Sequence, residues 1–461
     1  MLQPLANKNY AALFAAQVIA LLGTGLTTVA LALLAFELAG DDAGQVLGAA
    51  LAIKMVAYVT LAPVAGAFAP LVPRKRYLAT LDVLRAVLVL CLPFVTQVWH
   101  IYVLILLLQA CSAGFTPVFQ ATIPDLFEDE ETYTKALSLS RLAYDIESLV
   151  SPALAGAALL MFSFYTLFGA NAVAFLVSAG LVISVSLRDR PQGATASGFV
   201  ERIAFGIRAY LATPRLRGLL AMSMAVSAAG AMVIVNTVVL VQTELQLTEV
   251  WTAALLMAFG FGSMAAAFSM PRILSSIDDR KVSLVAGGAM TFALALGTAI
   301  GSFAMAAVLW CVVGAAYSAV LVCAGRLVQR SSTKPDRSAY FTAQFALSHG
   351  CFLVTYPLAG WLSATFGLPV AFVVLSGLAG LSFCVAMLVW PAQDDRVILH
   401  DHPSLNHAHL HVHDEHHQHA HEGWEGPEPH SHPHDHVALR HSHDFTIDLH
   451  HTEWPLRPAT R

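Results

Sequence analysis

The sequence predicts an all-α membrane protein: twelve transmembrane helices in two six-helix bundles, then a disordered C-terminal tail. Three observations predict it. Twelve apolar runs each approach or exceed the ~20 mostly apolar residues that cross a bilayer. Lys and Arg fall only in alternate connections. Composition then changes abruptly near residue 392, where a run of histidines begins. Of 461 residues, 57% are hydrophobic and 12% charged, against about 25% charged in an ordinary soluble domain. An enzyme is not expected, and there is no phosphate-binding Gly-Lys-Ser/Thr loop.

The spans run at roughly 10–38, 44–69, 78–98, 101–123, 134–161, 164–187, 217–241, 250–270, 282–302, 304–327, 339–362 and 369–391. The first is too long for the apolar region of a signal peptide and ends without a cleavage pattern, so it reads as a span. The odd connections, near 40–43, 97–100, 162–165, 242–249, 301–304 and 363–368, hold no Lys or Arg. The even ones carry Arg74-Lys-Arg76, Lys135, Arg188 through Arg217, Arg272, Arg280-Lys281 and Arg330 through Arg337. By the positive-inside rule the even connections and both termini face the cytoplasm.

The longest internal connection divides the spans six and six. This gives an N-terminal bundle over 1–187, a linker with an amphipathic helix over 188–216, a C-terminal bundle over 217–391 and a tail over 392–461. The halves echo one another. Span one ends Leu33-Leu-Ala-Phe-Glu-Leu38 and span seven ends Leu240-Val-Gln-Thr-Glu-Leu245, and basic loops follow spans two and eight. Spans two, five and eleven carry Pro63-Val-Ala-Gly66, Pro152-Ala-Leu-Ala-Gly156 and Pro357-Leu-Ala-Gly360. Gly/Pro interruptions at matched ranks mark the internal repeats of secondary transporters.

On these residues the chain resembles the major facilitator superfamily over positions 1 to about 391. Gly66-Ala-Phe-Ala-Pro-Leu-Val-Pro-Arg-Lys-Arg76 resembles the loop that follows span two in that superfamily, with Pro70 and Pro73 replacing the usual Asp and Gly and Arg74-Lys75 kept. Ser151-Pro-Ala-Leu-Ala-Gly156 resembles its antiporter motif, and Phe115 to Leu126 the branch that includes siderophore exporters. With the histidine-rich tail added, the chain most resembles the NreB/NrsD-type nickel exporters. That resemblance implies Ni²⁺ efflux across the inner membrane of a bacterium, by a monomer with no nucleic-acid or obligate protein partner.

A charge at mid-bilayer costs at least ~2.5–3.5 kcal/mol, so each one needs a partner or a purpose. Lys54 lies within span two, Arg141, Asp145 and Glu147 within span five, and His349 within span eleven. Asp145, Glu147 and His349 read as a transient cation and proton site, since carboxylate and imidazole suit Ni²⁺, Co²⁺ or Zn²⁺. The structural alternative pairs Lys54 with one carboxylate and Arg141 with the other. Asp82 and Arg85, with Arg74 and Lys75, read as an intrahelical pair or a cytoplasmic gate. Lys54 itself would attract an anion. The six cysteines all sit in apolar runs without a CxxC spacing and read as buried hydrophobes.

The tail holds 18 of the 20 histidines, with 12 acidic and 4 basic residues. Its candidate metal ligands are His407, His409, His411, His413, His416, His417, His419, His421, His430, His432, His434, His436, His441 and His443. Near neutral pH most imidazoles are uncharged and able to ligate. Few large apolar residues accompany them, so no independent core is expected. The tail therefore reads as many interchangeable moderate sites that collect metal at the cytoplasmic mouth. Apart from transported or tail-bound metal no cofactor is expected, and a proton gradient supplies the energy. The expected activity is export of divalent metal, nickel first and cobalt second, by proton antiport. Efflux of a siderophore, chelate or drug, or a membrane-anchored metal buffer or sensor, are the other readings.

Overall fold

Six long helices, α1 (Lys8–Ala39), α2 (Ala43–Phe68), α3 (Arg74–Cys91), α4 (Val98–Thr122), α5 (Glu130–Leu159) and α6 (Tyr165–Ser184), pack chiefly on one another. Six more form the second bundle: α8 (Pro214–Val239), α9 (Glu249–Ile273), α10 (Asp279–Leu296), α11 (Phe303–Arg330), α12 (Arg337–Phe366) and α13 (Leu368–Val389). The short amphipathic α7 (Phe199–Ala212) lies between them in sequence and packs on α12, α2 and α8. The structure is a computed structural model. It describes all residues except 41–42, 128, 188–198, 395–396, 403–404, 412–429, 437–438, 448–450, 452–453 and 456–461. The first part of the expected linker therefore lies outside the described residues.

Among the described residues, eleven helices are long and apolar enough to cross a membrane. The twelfth long helix, α5, has the length at 30 residues. Its apolar character is diluted by Arg141, Asp145 and Glu147, the residues singled out above for chemistry. It is packed against α1 and, in the other bundle, α9 and α11, so its polar groups have protein neighbours instead of lipid.

Helix starts follow ordinary capping chemistry. The Asn7 carboxamide oxygen accepts from the amides of Asn9 and Tyr10 at 3.0 and 3.3 Å. Asp129 accepts from the Thr132 amide at 2.6 Å, and that bond holds its carboxyl below the usual carboxylate range. The Ser302 hydroxyl accepts from Met305. Helix α12 ends at Gly367, where φ is +86°, a conformation favourable to glycine.

Packing within the C-terminal bundle depends on small residues. A Cβ added to Gly262 would lie 1.9 Å from the Cys311 carbonyl oxygen, and one added to Gly314 would lie 2.0 Å from that of Phe259. Helices α9 and α11 thus meet backbone to backbone, as small residues permit in membrane helices.

The even connections, rich in Lys and Arg, gather at one end of the bundles, termed the basic end here. The N-terminal residues lie there too, with Lys135 donating to Gln3. The tail leaves from buried Trp390, whose side chain packs on Gly218 and whose carbonyl accepts from Arg280. Asp394 pairs with Arg215 at 3.4 Å. Where described, the tail is extended: β1 (Val397–His402) pairs antiparallel with β4 (Leu439–Asp444), and β2 (Leu405–His411) with β3 (His430–His436). Past the ladders, Phe445 and Ile447 join the core of the C-terminal bundle.

The backbone contact at Gly262 yields a test. Gly262→Leu should force α9 and α11 apart, at the ~1–3 kcal/mol typical of overpacking or more, lowering the unfolding temperature of the detergent-solubilised protein by several degrees. Gly156→Ala, with open space around it, should leave that temperature unchanged.

Candidate transport site

Two polar clusters lie at mid-depth, where the bundles face each other. The first centres on α5. Arg141 donates to Asp145 Oδ1 at 2.6 Å, and its Nε donates to the Ser263 hydroxyl on α9 at 3.1 Å. The Ser263 hydroxyl in turn lies 2.9 Å from both Asp145 oxygens. Asp145 is buried, and the Arg141 guanidinium also lies 5.3 Å from the Tyr317 ring of α11. The i,i+4 spacing sets the ion pair, and Ser263 ties it across the interface. Both Asp145 oxygens are therefore already hydrogen-bonded, and Arg141 is its counterion.

The second cluster brings together α2, α5 and α12. Lys54 sits 5.7 Å from the Tyr58 ring centroid. Tyr58 meets His349 edge-on at 4.8 Å, and Phe345 lies 4.2 Å from the imidazole. His349 Nδ1 lies 2.7 Å from the Phe345 carbonyl. A carbonyl only accepts, so Nδ1 carries a proton, and in the neutral imidazole the lone pair then lies on Nε2. Metal-binding histidines are commonly oriented by such a bond on the other nitrogen.

Glu147 lies against α1. A Cβ on Gly25 would come within 3.0 Å of its Oε1 and 2.3 Å of the Ser151 hydroxyl. Gly25 therefore makes the space in which the Glu147 carboxylate sits. Among the described residues Glu147 has no ion pair within 4 Å, whereas Asp82 and Asp145 each have one. Lys54, Glu147 and His349 are each half-buried.

Asp82 and Arg85 form the intrahelical pair within the N-terminal bundle. Asp82 also accepts from Ser178 at 2.8 Å, and Arg85 lies between the rings of Phe115 and Phe175 at 4.1 and 4.5 Å. None of these partners comes from the C-terminal bundle. Arg74, in contrast, belongs to a latch at the basic end.

In that latch Asp125, just past α4, accepts from Arg74 at 2.8 Å and from Arg337 of the opposite bundle. Arg326, near the end of α11, pairs with Asp279 at 2.8 Å and with Glu130 of the opposite bundle at 2.7 Å. It also donates to Thr134, while Tyr133 donates to the Gly325 carbonyl at 3.1 Å. The two bridges occupy equivalent places in the repeat. The starts of α3, the end of α4 and the start of α5 carry Arg74, Asp125 and Glu130. The starts of α10, the end of α11 and the start of α12 carry Asp279, Arg326 and Arg337. Every charge is inverted between the halves. Among the described residues, hydrogen bonds and ion pairs between the bundles lie at mid-depth or at this end. Lys75 is half-buried beside the latch.

Tyr58, Ser263, Tyr317 and the latch partners Asp125, Glu130, Asp279, Arg326 and Arg337 had no assigned role in the sequence reading. Tyr58 was within reach of it, four residues after Lys54 on one helical face. The tail ligands His407, His409, His411, His430, His432, His434, His436, His441 and His443 lie on the paired strands. His413, His416, His417, His419 and His421 lie outside the described residues.

Two helical bundles, a polar centre between them and a latch at one end define a membrane transporter. The model of the Major Facilitator Superfamily matches residues 13–295, and the chain belongs to that superfamily. An uncharacterized MFS-type transporter, YfiS of Bacillus subtilis (strain 168), is 29% identical over 178 residues, 38% of this chain and 41% of that protein. The chain thus spans about two fifths of the length of that relative in the match. Among solved structures, the human organic anion transporter MFSD10 (TETRAN) superposes with a TM-score of 0.71 at 13% identity, over 82% of this chain and 98% of that one. A bacterial homologue of the iron transporter ferroportin, in an outward-facing state with soaked iron, gives 0.68 at 14% identity, over 83% and 99%. At these identities the likeness is one of fold.

The latch makes a direct prediction. Asp125→Asn should release Arg74 and Arg337 together and part the bundles at the basic end. A cysteine placed at Leu137, which packs on Gly325 across the interface, should then react several-fold faster with a soluble maleimide. Unchanged labelling would show that this carboxylate does not hold the end closed.

Proposed function

We propose that the protein is a non-enzymatic exporter of divalent transition-metal ions, nickel first and cobalt second, driven by protons entering in exchange. Its basic end, both termini and the histidine-rich tail face the cytoplasm of a bacterium, and the closed latch represents an outward-facing state. The observation that carries this reading is the second cluster. Among the described residues Glu147 is a carboxylate with no ion pair within 4 Å, and His349 donates from Nδ1 to the Phe345 carbonyl, which leaves Nε2 of the neutral imidazole for a ligand. Oxygen and nitrogen donors of this kind suit Ni²⁺, Co²⁺ and Zn²⁺. The bacterial homologue of the iron transporter ferroportin, whose structure carries soaked iron, supports metal cargo on this fold.

Coupling follows from competition. Metal on Glu147 and His349 requires that both be unprotonated, and a charged Lys54 opposes it by like-charge repulsion. Protons arriving from outside occupy the same groups and displace the ion. The Arg141–Asp145–Ser263 cluster joins α5 to α9, so it holds the bundle interface beside the exchanging groups. Removing one partner of such a buried pair costs about 3–5 kcal/mol, so Asp145 variants should affect folding as well as transport.

A second reading has its own support. Lys54 is a fixed cation facing the centre, and the organic anion transporter named above shares the fold. The protein would then carry an organic anion or a metal chelate, with the tail regulatory.

Cellular Ni, Co and Zn should be measured in cells carrying the intact chain, a chain truncated after Pro391, and Glu147→Gln. The intact chain should lower nickel content. Glu147→Gln should reduce export by about tenfold or more, equivalent to ~1.4 kcal/mol or greater. Truncation should leave export in place with a higher metal requirement. Metal content unaffected by the intact chain would eliminate metal export and favour the organic anion. Normal export by Glu147→Gln would remove Glu147 from the site.

A further inference from the structure

Past β4 the chain returns to the C-terminal bundle and is seated on it. Phe445 and Ile447 are each 3% exposed, and Thr446 between them is half-buried. Residues two apart share one side of an extended chain. The two large apolar groups thus enter together the core that also holds Leu216, Tyr340 and Trp390. The Phe445 ring meets His451 edge-on at 4.7 Å and Trp454 edge-on at 5.1 Å. His451 is buried as well, and Trp454 is half-buried.

The seat is built on the starts of two helices. Tyr340, in the first turn of α12, donates to the Ile447 carbonyl at 2.7 Å. Arg215, in the first turn of α8, is buried, pairs with Asp394 at 3.4 Å and lies 5.1 Å from the Trp454 ring. A guanidinium is attracted to the face of an indole, more so when water is excluded. Both seating groups therefore spend polar contacts on chain that lies beyond the twelve long helices.

Tyr340 also meets the linker. The Phe205 ring of α7 stands edge-on to it with centroids 6.5 Å apart, and a Cβ added to Gly206 would lie 2.6 Å from the Ala339 carbonyl oxygen. Tyr210, one turn further along α7, donates to Gln344 of α12. Helix α7 packs in turn on α2 of the N-terminal bundle. One tyrosine thus links the seated segment to α7, which reaches α2, and to the helix whose Arg337 reaches Asp125.

We propose that Phe445, Ile447, His451 and Trp454 form a releasable intramolecular brace: seated, they hold Tyr340, and with it α7 and the start of α12, in the arrangement that keeps the basic end closed. Released, they let that end open more readily. The inference stands on the closed end itself and is independent of the cargo and of what the tail histidines bind. Residues 391–444 tether the brace to the end of α13. A tethered ligand meets its seat at a high effective concentration, so contacts of modest strength keep it in place. Contacts of modest strength can also be undone.

The test uses the full-length chain in detergent with Leu137→Cys, which reports closure of the basic end, and locates the maleimide label by peptide mass. Phe445→Ser with Ile447→Ser should unseat the brace and speed labelling several-fold. Tyr340→Phe keeps the ring and loses one hydrogen bond, and should speed it roughly threefold. A synthetic peptide spanning 444–455, added at about 1 mM, the scale of tethered concentrations, should slow labelling of the double variant again. The same peptide with Trp454→Ala should slow it less. Unchanged labelling in the double variant would overturn the brace. Fast labelling that the peptide does not slow would make the segment a fixed part of the core and overturn its release. Loss of the single size-exclusion peak in the double variant would do the same.

Discussion

Asp125 accepts from one guanidinium of each bundle, and Arg326 donates to one carboxylate of each bundle. These two bridges close the basic end of the molecule. Four of these six charges, Arg74, Asp279, Arg326 and Arg337, are buried, and buried charges at the end of an apolar body are costly unless each is matched. Matching forces the bundles into one relative placement. The mid-depth clusters inherit that placement, because Ser263 reaches Asp145, and Tyr58 reaches His349, only when α5 meets α9 and α2 meets α12. The inverted charges of the two repeats explain why each bridge takes two members from one half and one from the other.

At the centre the physical problem is different. Asp82 and Asp145 are each settled by an arginine on their own helix, three or four residues away. Glu147 has no arginine at such a spacing, and Gly25 leaves room for its carboxylate instead of a side chain that would displace it. Among the described residues Lys54 forms no ion pair with Glu147 within 4 Å. A half-buried carboxylate without a close counterion keeps hydrogen-bonding capacity that a fully matched pair such as Arg141 and Asp145 has already used.

The helices were legible in the sequence because hydrocarbon thickness sets a length and topology sets a charge rule. The one helix whose composition is weakest, α5, was also legible as the one that carries polar groups to mid-depth, since Arg141, Asp145 and Glu147 stand in an otherwise apolar run. Close-range pairs such as Arg141/Asp145 and Asp82/Arg85 follow from helical spacing. The latch did not, because Asp125 and Arg337 are 212 residues apart and the basic loop residues read equally well as topogenic charges. Gly25 and Ser263 were invisible for a related reason. Neither is chemically conspicuous, and their importance arises only from what a partner helix places against them. The spacing of the tail histidines was plain, but strand register depends on pairing across some 20 intervening residues and could not be read from either run alone.

Tyr340, which holds the end of the tail, and Arg337, which closes the latch, occupy the same first turn of α12. A helix is stiff over one turn, so these two attachments act on a common lever. Any tilt of α12 that withdraws Arg337 from Asp125 also carries away the hydroxyl on which Ile447 hangs. The attachment of residues 445–447 and the closure of the basic end are consequently coupled through one turn of α12.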